Sequence, residues 1–368
     1  MTTETFSSFA MNLAECSLTE IETAIEGLGL RKFHGRQVFQ WLYKKGVTRF
    51  DDMTDLALPV RAALSEAFTV VTPTVSQKQT SVDGTTKFEL QLEDGRHIEA
   101  VYIPDTPKQT FCISTQVGCA MACAFCLTGK MGLIRHLSAG EIAGQVRVLA
   151  HETGLVGQPF NIVLMGMGEP LHNYDATMKA LRVLYNPHGL GLHPKRITLS
   201  TVGVVPALER LATEPDIPNL AISLHATTND SRNELVPINR RYDLDALIAA
   251  CQKFPLQARR RITFEYVLLN GVNDTPEDAR RLVRVLNGIK SKVNLLPLNE
   301  AAGIPFTRPS DERINAFARI LKDRDMNVSV RKSRGRDIRA ACGQLIVEGE
   351  RKKRAPGVPV GNSPVILP

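Results

Sequence analysis

The sequence predicts an α/β fold, a partial (β/α)6 barrel of TIM-like type carrying an N-terminal helical domain and a small antiparallel β extension. Three observations lead there. Between Phe111 and about Ser333, apolar strand candidates alternate with helical patterns at regular spacing. From Leu18 to Phe68, apolar residues recur at three- and four-residue intervals, and from Val70 to Ile103 β-branched and polar residues alternate. A parallel sheet of this kind places its active site at the carboxyl ends of the strands. Open and doubly wound sheets give the same one-dimensional pattern, so barrel closure is left open.

Taken in order, residues 1–15 lack periodicity and are expected to be a disordered lead. Residues 16–70 form the helical domain: Leu18, Ile21, Ile25 and Leu28 make one apolar face, Val38, Phe39, Leu42 and Tyr43 a second, and Gly29, Gly35 and Gly46 fit helix ends. Residues 71–108 form the β extension, with strands near Val75–Ser81, Thr86–Leu92 and His97–Ile103 and turn signals at Asp83-Gly84 and Asp94-Gly95. Glu99 lies in the last of these strands, where local sequence alone reads it as a solvent-facing acid.

Residues 109–346 form the barrel. Its strand candidates are Phe111–Gln116, Asn161–Gly166, Arg196–Thr201, Leu220–His225, Ile262–Leu269 and Val293–Leu298. Helical patterns between them include Ser138–Glu152, opened by a serine cap with Glu141 three positions on, then Tyr174–Tyr185, Leu244–Phe254 and Pro276–Gly288. From Arg334 to Leu345, glycines and charges leave little room for a regular helix and read as a loop leading to Cys342. Residues 347–368 read as a disordered tail.

With 43% hydrophobic residues the chain can bury a large core. Seven cysteines, an odd number partly used in a metal-type motif, argue against a secreted disulfide framework and for a reducing compartment, so a cytoplasmic location is expected. No apolar stretch approaches membrane-spanning length, and no membrane partner is expected. The net charge of +7 is concentrated in Arg31–Arg49, Arg259–Arg261, Arg331–Arg339 and Arg351–Arg354. Such patches suit a phosphate backbone, although ordinary solvated faces give similar runs.

The chemical signal is Cys119, Cys123 and Cys126 at C-x3-C-x2-C spacing, preceded by Gln116-Val117-Gly118. Three thiolates at this spacing hold an iron-sulfur cluster with one iron free to bind something else. A structural zinc site is the bland alternative; it wants a fourth ligand close by, and His136 is the only near candidate. Strand ends downstream are polar and glycine-rich: Met165-Gly166-Met167-Gly168-Glu169-Pro170, Ser200, Ser223-Leu224-His225 and Asn299. Two glycines let a ligand approach the backbone, and Glu169 offers carboxylate and carbonyl acceptors to an ammonium group.

With these motifs and the flanking pair Cys112 and Cys342, residues Leu18–Leu345 resemble the radical S-adenosylmethionine (SAM) RNA adenine methylases, of the RlmN type within the RlmN/Cfr family. The resemblance implies a 4Fe-4S cluster on Cys119, Cys123 and Cys126, with SAM held by Gly168, Glu169, Ser200, Ser223, Leu224, His225 and Asn299. It implies two SAM per turnover: one methylates Cys342, and a second is split reductively so that the S-methyl group becomes a carbon radical able to attack C2 of adenine. Cys112 would then release the product by a transient disulfide with Cys342, and Glu99 would accept the C2 proton. The implied substrates are an adenosine in the peptidyl-transferase region of 23S rRNA and adenosine 37 of tRNAs. The implied reductant is flavodoxin or ferredoxin, and a monomer is expected. The Arg31–Arg49 segment is the expected RNA grip.

Three rivals accompany this reading; one, a radical SAM enzyme acting on protein or metabolites, leaves Cys342 and the basic helical domain without a role. A Cfr-type enzyme would methylate C8, and Val117, where that group carries Cys, favours C2. A non-enzymatic metal-containing RNA-binding protein would hold zinc and leave SAM intact.

Overall fold

The computed structural model describes residues 10–104 and 108–347. The expected tail beyond Val347 and residues 1–9 of the expected lead lie outside the described residues. Residues 11–15, expected in that lead, are ordered instead: β1 (Met11–Asn12) is followed by a 3-10 turn at Leu13–Glu15, with Leu13 fully buried. An apolar pair in so short a segment carries no periodicity to read.

Helix α1 (Leu18–Gly27) opens on a capping box between Ser17 and Glu20. It packs against α2 (Lys32–Lys44), which contributes Val38, Phe39, Leu42 and Tyr43 to the core. Gly29 and Gly46 close these helices with positive φ, as expected. Gly35 does not: it sits inside α2, where an added Cβ would lie 2.8 Å from the Glu22 Cα. It is a glycine of close helix approach. The basic residues from Arg31 to Arg49 are exposed.

After α3 (Leu58–Ala67) and β2 (Phe68–Thr69), which pairs with β1, come β3 (Thr74–Thr80), β4 (Thr86–Gln91) and β5 (His97–Ile103). Strand β6 (Thr110–Cys112) pairs antiparallel with β5 and parallel with β9 (Asn161–Leu164), so the extension is continuous with the main sheet. The first barrel strand therefore ends at Cys112. The following residues form a separate hairpin, β7 (Gln116–Cys119) with β8 (Gly132–His136), spanned by α4 (Leu127–Met131).

The rest alternates as expected. Helix α5 (Ala139–Glu152) carries the Ser138–Glu141 capping box, and β9 precedes α6 (Tyr174–Tyr185). Then follow β10 (Ile197–Thr201), α7 (Val205–Leu211), β11 (Asn219–Ser223), α8 (Asn229–Leu235), α9 (Leu244–Lys253) and β12 (Ile262–Leu268). The series ends with α10 (Pro276–Val285), β13 (Ser291–Pro297), α11 (Asp311–Lys322) and β14 (Val328–Val330). Strand β14 adds a seventh parallel strand to the six expected.

The sheet runs β14-β13-β12-β11-β10-β9-β6-β5-β4-β3 and is not closed. Buried apolar residues from the helical region and from both kinds of sheet belong to one continuous core. Among the described residues, no helix is long and apolar enough to cross a membrane. Residues 331–347 form an irregular strap over the strand ends. Asp83 Oδ2 accepts from the Gly335 N–H at 3.0 Å, Ser81 donates to Asp337 at 2.5 Å, and the Leu127 N–H donates to the Gly343 carbonyl at 2.8 Å.

Candidate active site

The parallel strands direct their carboxyl ends into one cavity. Cys119, Cys123, Cys126 and Cys342 all line it, with Gly168, Glu169, Ser200, Ser223, His225 and Asn299. Leu224 does not: its side chain is fully buried in the core.

The cysteine loop turns through Ala122, which has a left-handed φ of 53°. It is pinned by the Ala124 N–H to the Leu235 carbonyl at 3.0 Å and the Cys126 N–H to the Cys123 carbonyl at 3.2 Å. Burial raises the pKa of all three thiols, so an adjacent cation is needed to hold them as thiolates. Among the described residues, no three His, Cys, Asp or Glu side chains converge on a single ion, as a zinc site would require. A 4Fe-4S cluster takes each thiolate on a different iron, and the loop suits that group.

Glu169 is held from inside. Its Oε1 accepts from the Leu171 N–H and its Oε2 from the Val202 N–H, each at 2.9 Å, and its own N–H donates to Gln116 Oε1 at 2.8 Å. Its carbonyl accepts from His172 and Asn173 N–H groups. The acceptors expected to face an ammonium group are thus already engaged, although each carboxylate oxygen keeps a second lone-pair direction. Burial lifts its pKa to about 7 against these donors. Gly168, at φ +102°, must lack a side chain because a Cβ there would meet the Gln116 backbone nitrogen at 2.8 Å.

His225 also adopts a left-handed φ of 60°. Its Nδ1 accepts from the Val267 N–H at 3.0 Å, and burial lowers its pKa to about 3. The ring is therefore neutral, with its proton on Nε2. The Ser200 and Ser223 hydroxyls lie 3.5 Å apart. Asn299 donates from Nδ2 to the Cys342 carbonyl at 3.4 Å, while its Oδ1 is buried without a partner. An orphaned acceptor in a cavity wall fits a ligand bearing N–H or O–H groups, as SAM does.

Cys342 is solvent-accessible on the strap, and desolvation against the cavity wall raises its pKa. Cys112, at the end of β6, is buried with its pKa also raised; burial is the main cause and the Cys342 charge the next. Both are free thiols here. Glu99 is not in this cavity. It lines a separate polar trough, where its Oε1 pairs with Lys87 Nζ at 2.7 Å and its Oε2 accepts from the Ile346 N–H at 2.7 Å. The solvent-facing reading of Glu99 is corrected, since it is only 3% exposed.

Two site residues, Glu265 and Arg232, escaped sequence reasoning, and Gln116, quoted there only as part of the cysteine motif, gains a role. Glu265 lines the cavity from β12, buried, with Oε1 accepting from Asn294 Nδ2 at 2.8 Å; the available signal was a lone acid in an apolar strand. Gln116 supports Glu169 and donates from Nε2 towards Nδ1 of His136 at 3.0 Å and of His172 at 3.2 Å. Arg232 is wholly buried behind the cysteine loop. Nothing in the local pattern of Arg232 marks it.

Residues 113–283 match the Radical SAM superfamily, and residues 11–70 match the ribosomal RNA large subunit methyltransferase N-terminal domain. The chain is 47% identical over 332 residues to the dual-specificity RNA methyltransferase RlmN of Syntrophobacter fumaroxidans, covering 90% of this chain and 97% of that one. It is 48% identical over 329 residues to the corresponding protein of Geobacter sulfurreducens, covering 89% and 90%. A solved radical SAM methyltransferase from Sphaerobacter thermophilus superposes with a TM-score of 0.87 at 45% identity, covering 91% of this chain and 99% of that one.

Proposed function

Because the chain belongs to the RlmN family of radical SAM RNA methyltransferases, we propose that it methylates C2 of an adenosine in the peptidyl-transferase region of 23S rRNA and of adenosine 37 in tRNAs. The observation that carries this reading is the position of Cys342, a strap thiol lining the same cavity as Cys119, Cys123 and Cys126.

Cys119, Cys123 and Cys126 would hold the cluster, and Gly168, Glu169, Ser200, Ser223, His225 and Asn299 would surround SAM, with Leu224 contributing through its backbone. The bound cluster and SAM supply a carbon radical, which C2 of adenine requires because it lies between two ring nitrogens and is too electron-poor to attack a methyl donor. The chain's own part begins at Cys342, which loses its proton, takes up a methyl group and presents it as S-methylcysteine. Once RNA is joined to the Cys342 sulfur through a methylene on C2, and that adduct has given up one electron and the C2 proton, the Cys112 thiolate would attack the Cys342 sulfur. The S–CH2 bond breaks, its electron pair goes to the methylene carbon, which takes a proton to become the product methyl, and the disulfide left behind is reduced by an external thiol. Two SAM are used per turnover, and electrons come from a small redox protein such as flavodoxin or ferredoxin.

Glu99 is the proton acceptor in this scheme. Its two oxygens are held by Lys87 and the Ile346 N–H in a trough separate from the cysteine cavity, so the strap would have to shift for C2 to reach it. The exposed basic face of α2 is the RNA grip, and the chain works as a monomer.

The test is anaerobic reconstitution with labelled SAM and unmodified 23S rRNA or tRNA. Cys342→Ala should abolish label in both protein and RNA, and Cys112→Ala should accumulate a protein–RNA adduct. Mass spectrometry should find 2-methyladenosine. A product methylated at C8 would establish the Cfr-type alternative, and free, methylated RNA from the Cys112 variant would remove the release step.

A further inference from the structure

Arg232, on α8, has no exposed surface. Its Nε donates to the Leu224 carbonyl at 3.1 Å and its Nη1 to Asn239 Oδ1 at 3.0 Å; its Nη2 donates to the carbonyls of Val202 at 2.6 Å and Ser223 at 3.3 Å. All four partners are neutral oxygens, and no carboxylate among the described residues forms an ion pair with it. A buried cation in that state is costly, because protein dipoles replace its hydration only in part.

Its position is specific. Val202 and Ser223, whose carbonyls it binds, line the cavity with the three cysteines. The cysteine loop is tied to the same helix by the Ala124 N–H bond to Leu235. The neighbouring wall includes the apolar Met121, Leu235, Val236 and Ile238.

We infer that Arg232 is the built-in counter-ion of the cysteine triad, a positioning residue whose fixed charge favours the reduced, more negative state of the cluster held there. The inference rests on the cluster assignment made above. A 4Fe-4S group on thiolates has a potential set partly by net charge and surroundings, and each added electron is stabilised by a nearby cation in low dielectric. The side chain also acts as a clamp. Val202 gives its carbonyl to Arg232 and its N–H to Glu169, so the guanidinium braces the ends of β10 and β11 against the Gly168-Glu169 loop. Charge and clamp separate on substitution: lysine keeps the charge without the fork, and glutamine keeps polar contacts without the charge.

The test uses the anaerobically reconstituted full chain as wild type, Arg232→Lys and Arg232→Gln, measuring iron per chain and then the cluster's redox titration by electron paramagnetic resonance. At the wild-type midpoint, the glutamine variant should show a reduced-to-oxidised ratio at least about tenfold lower, about 59 mV for a one-electron couple. The lysine variant should stay within about threefold of wild type, because the Coulomb contribution survives. Should the glutamine variant fold or load poorly, Arg232→Met combined with Asn239→Leu removes both side-chain partners and carries the same expectation. An iron-loaded charge-free variant that titrates like wild type overturns the inference. So does an iron-loaded lysine variant showing the full drop, which would assign the effect to geometry. Wild-type protein that takes up no iron would instead defeat the cluster assignment itself.

Discussion

Glu99 and Glu169 are equally buried, each 3% exposed, but they sit in compartments built on different terms. Glu169, in the cysteine cavity, is held by backbone N–H groups with no cation among the described residues paired to it, and burial lifts its pKa to about 7. Glu99, in the polar trough, is raised by burial too, but Lys87 and the Ile346 N–H oppose the shift. Between the compartments runs the strap carrying Cys342. The difference teaches that one surface can hold an acid able to change charge near neutrality beside one anchored by a partner, according to whether the compensating group is a dipole or an ion.

The largest expected effect on this contrast comes from Lys87→Met, which strands the Glu99 carboxylate beside a single N–H. Breaking a buried pair from one side should cost roughly 3 kcal/mol, read by urea denaturation. A variant as stable as wild type would show that the trough is wet enough to need no ion.

The next effect is pH dependence in the cluster-free chain. Glu169 binds its proton more tightly folded than unfolded, so its contribution is fully present below the unfolded value near 4.5 and is lost as pH rises through about 7. Stability should fall by up to about 3 kcal/mol across that window. Glu169→Gln, whatever its absolute stability, should flatten the slope, and an unchanged slope would assign it to other groups.

The smallest effect probes the partition. Thr128 Oγ1 donates to the Leu345 carbonyl at 2.6 Å. Thr128→Val should loosen the strap by about 1 kcal/mol, giving roughly fivefold faster amide exchange around Leu345 with little change in global stability. Unchanged exchange would place the strap's anchorage at Gly343 and Asp337 instead.

Much of this organisation was legible in the sequence because it is local. The cysteine spacing, the Ser138–Glu141 capping box, the strand–helix alternation and the unstructured approach to Cys342 depend on near neighbours, and the structure has them where expected. What escaped depends on pairing across distance. The junction of β5 with β6 and the β7–β8 hairpin are choices of partner, which strand-like residues do not encode singly. Strand β14 is three residues long, too short for a period. Gly35 resembles a helix stop until Glu22 is known to lie against it, and Arg232 looks like any surface arginine on a polar helix until its four acceptors close around it. Leu224 is the converse case, a motif residue whose side chain is packed in the core.

The sheet's failure to close leaves two margins, β3 and β14, whose peptide groups could template pairing with another molecule. Neither margin is inviting. Strand β3 is broken by a register shift between Val75 and Gln77 and presents Lys78 among polar side chains, while β14 stops after three residues and runs into Arg331 and Lys332. A ten-stranded sheet can therefore stay unsealed without recruiting neighbours into a shared ribbon, which keeps its flank open at little risk of aggregation.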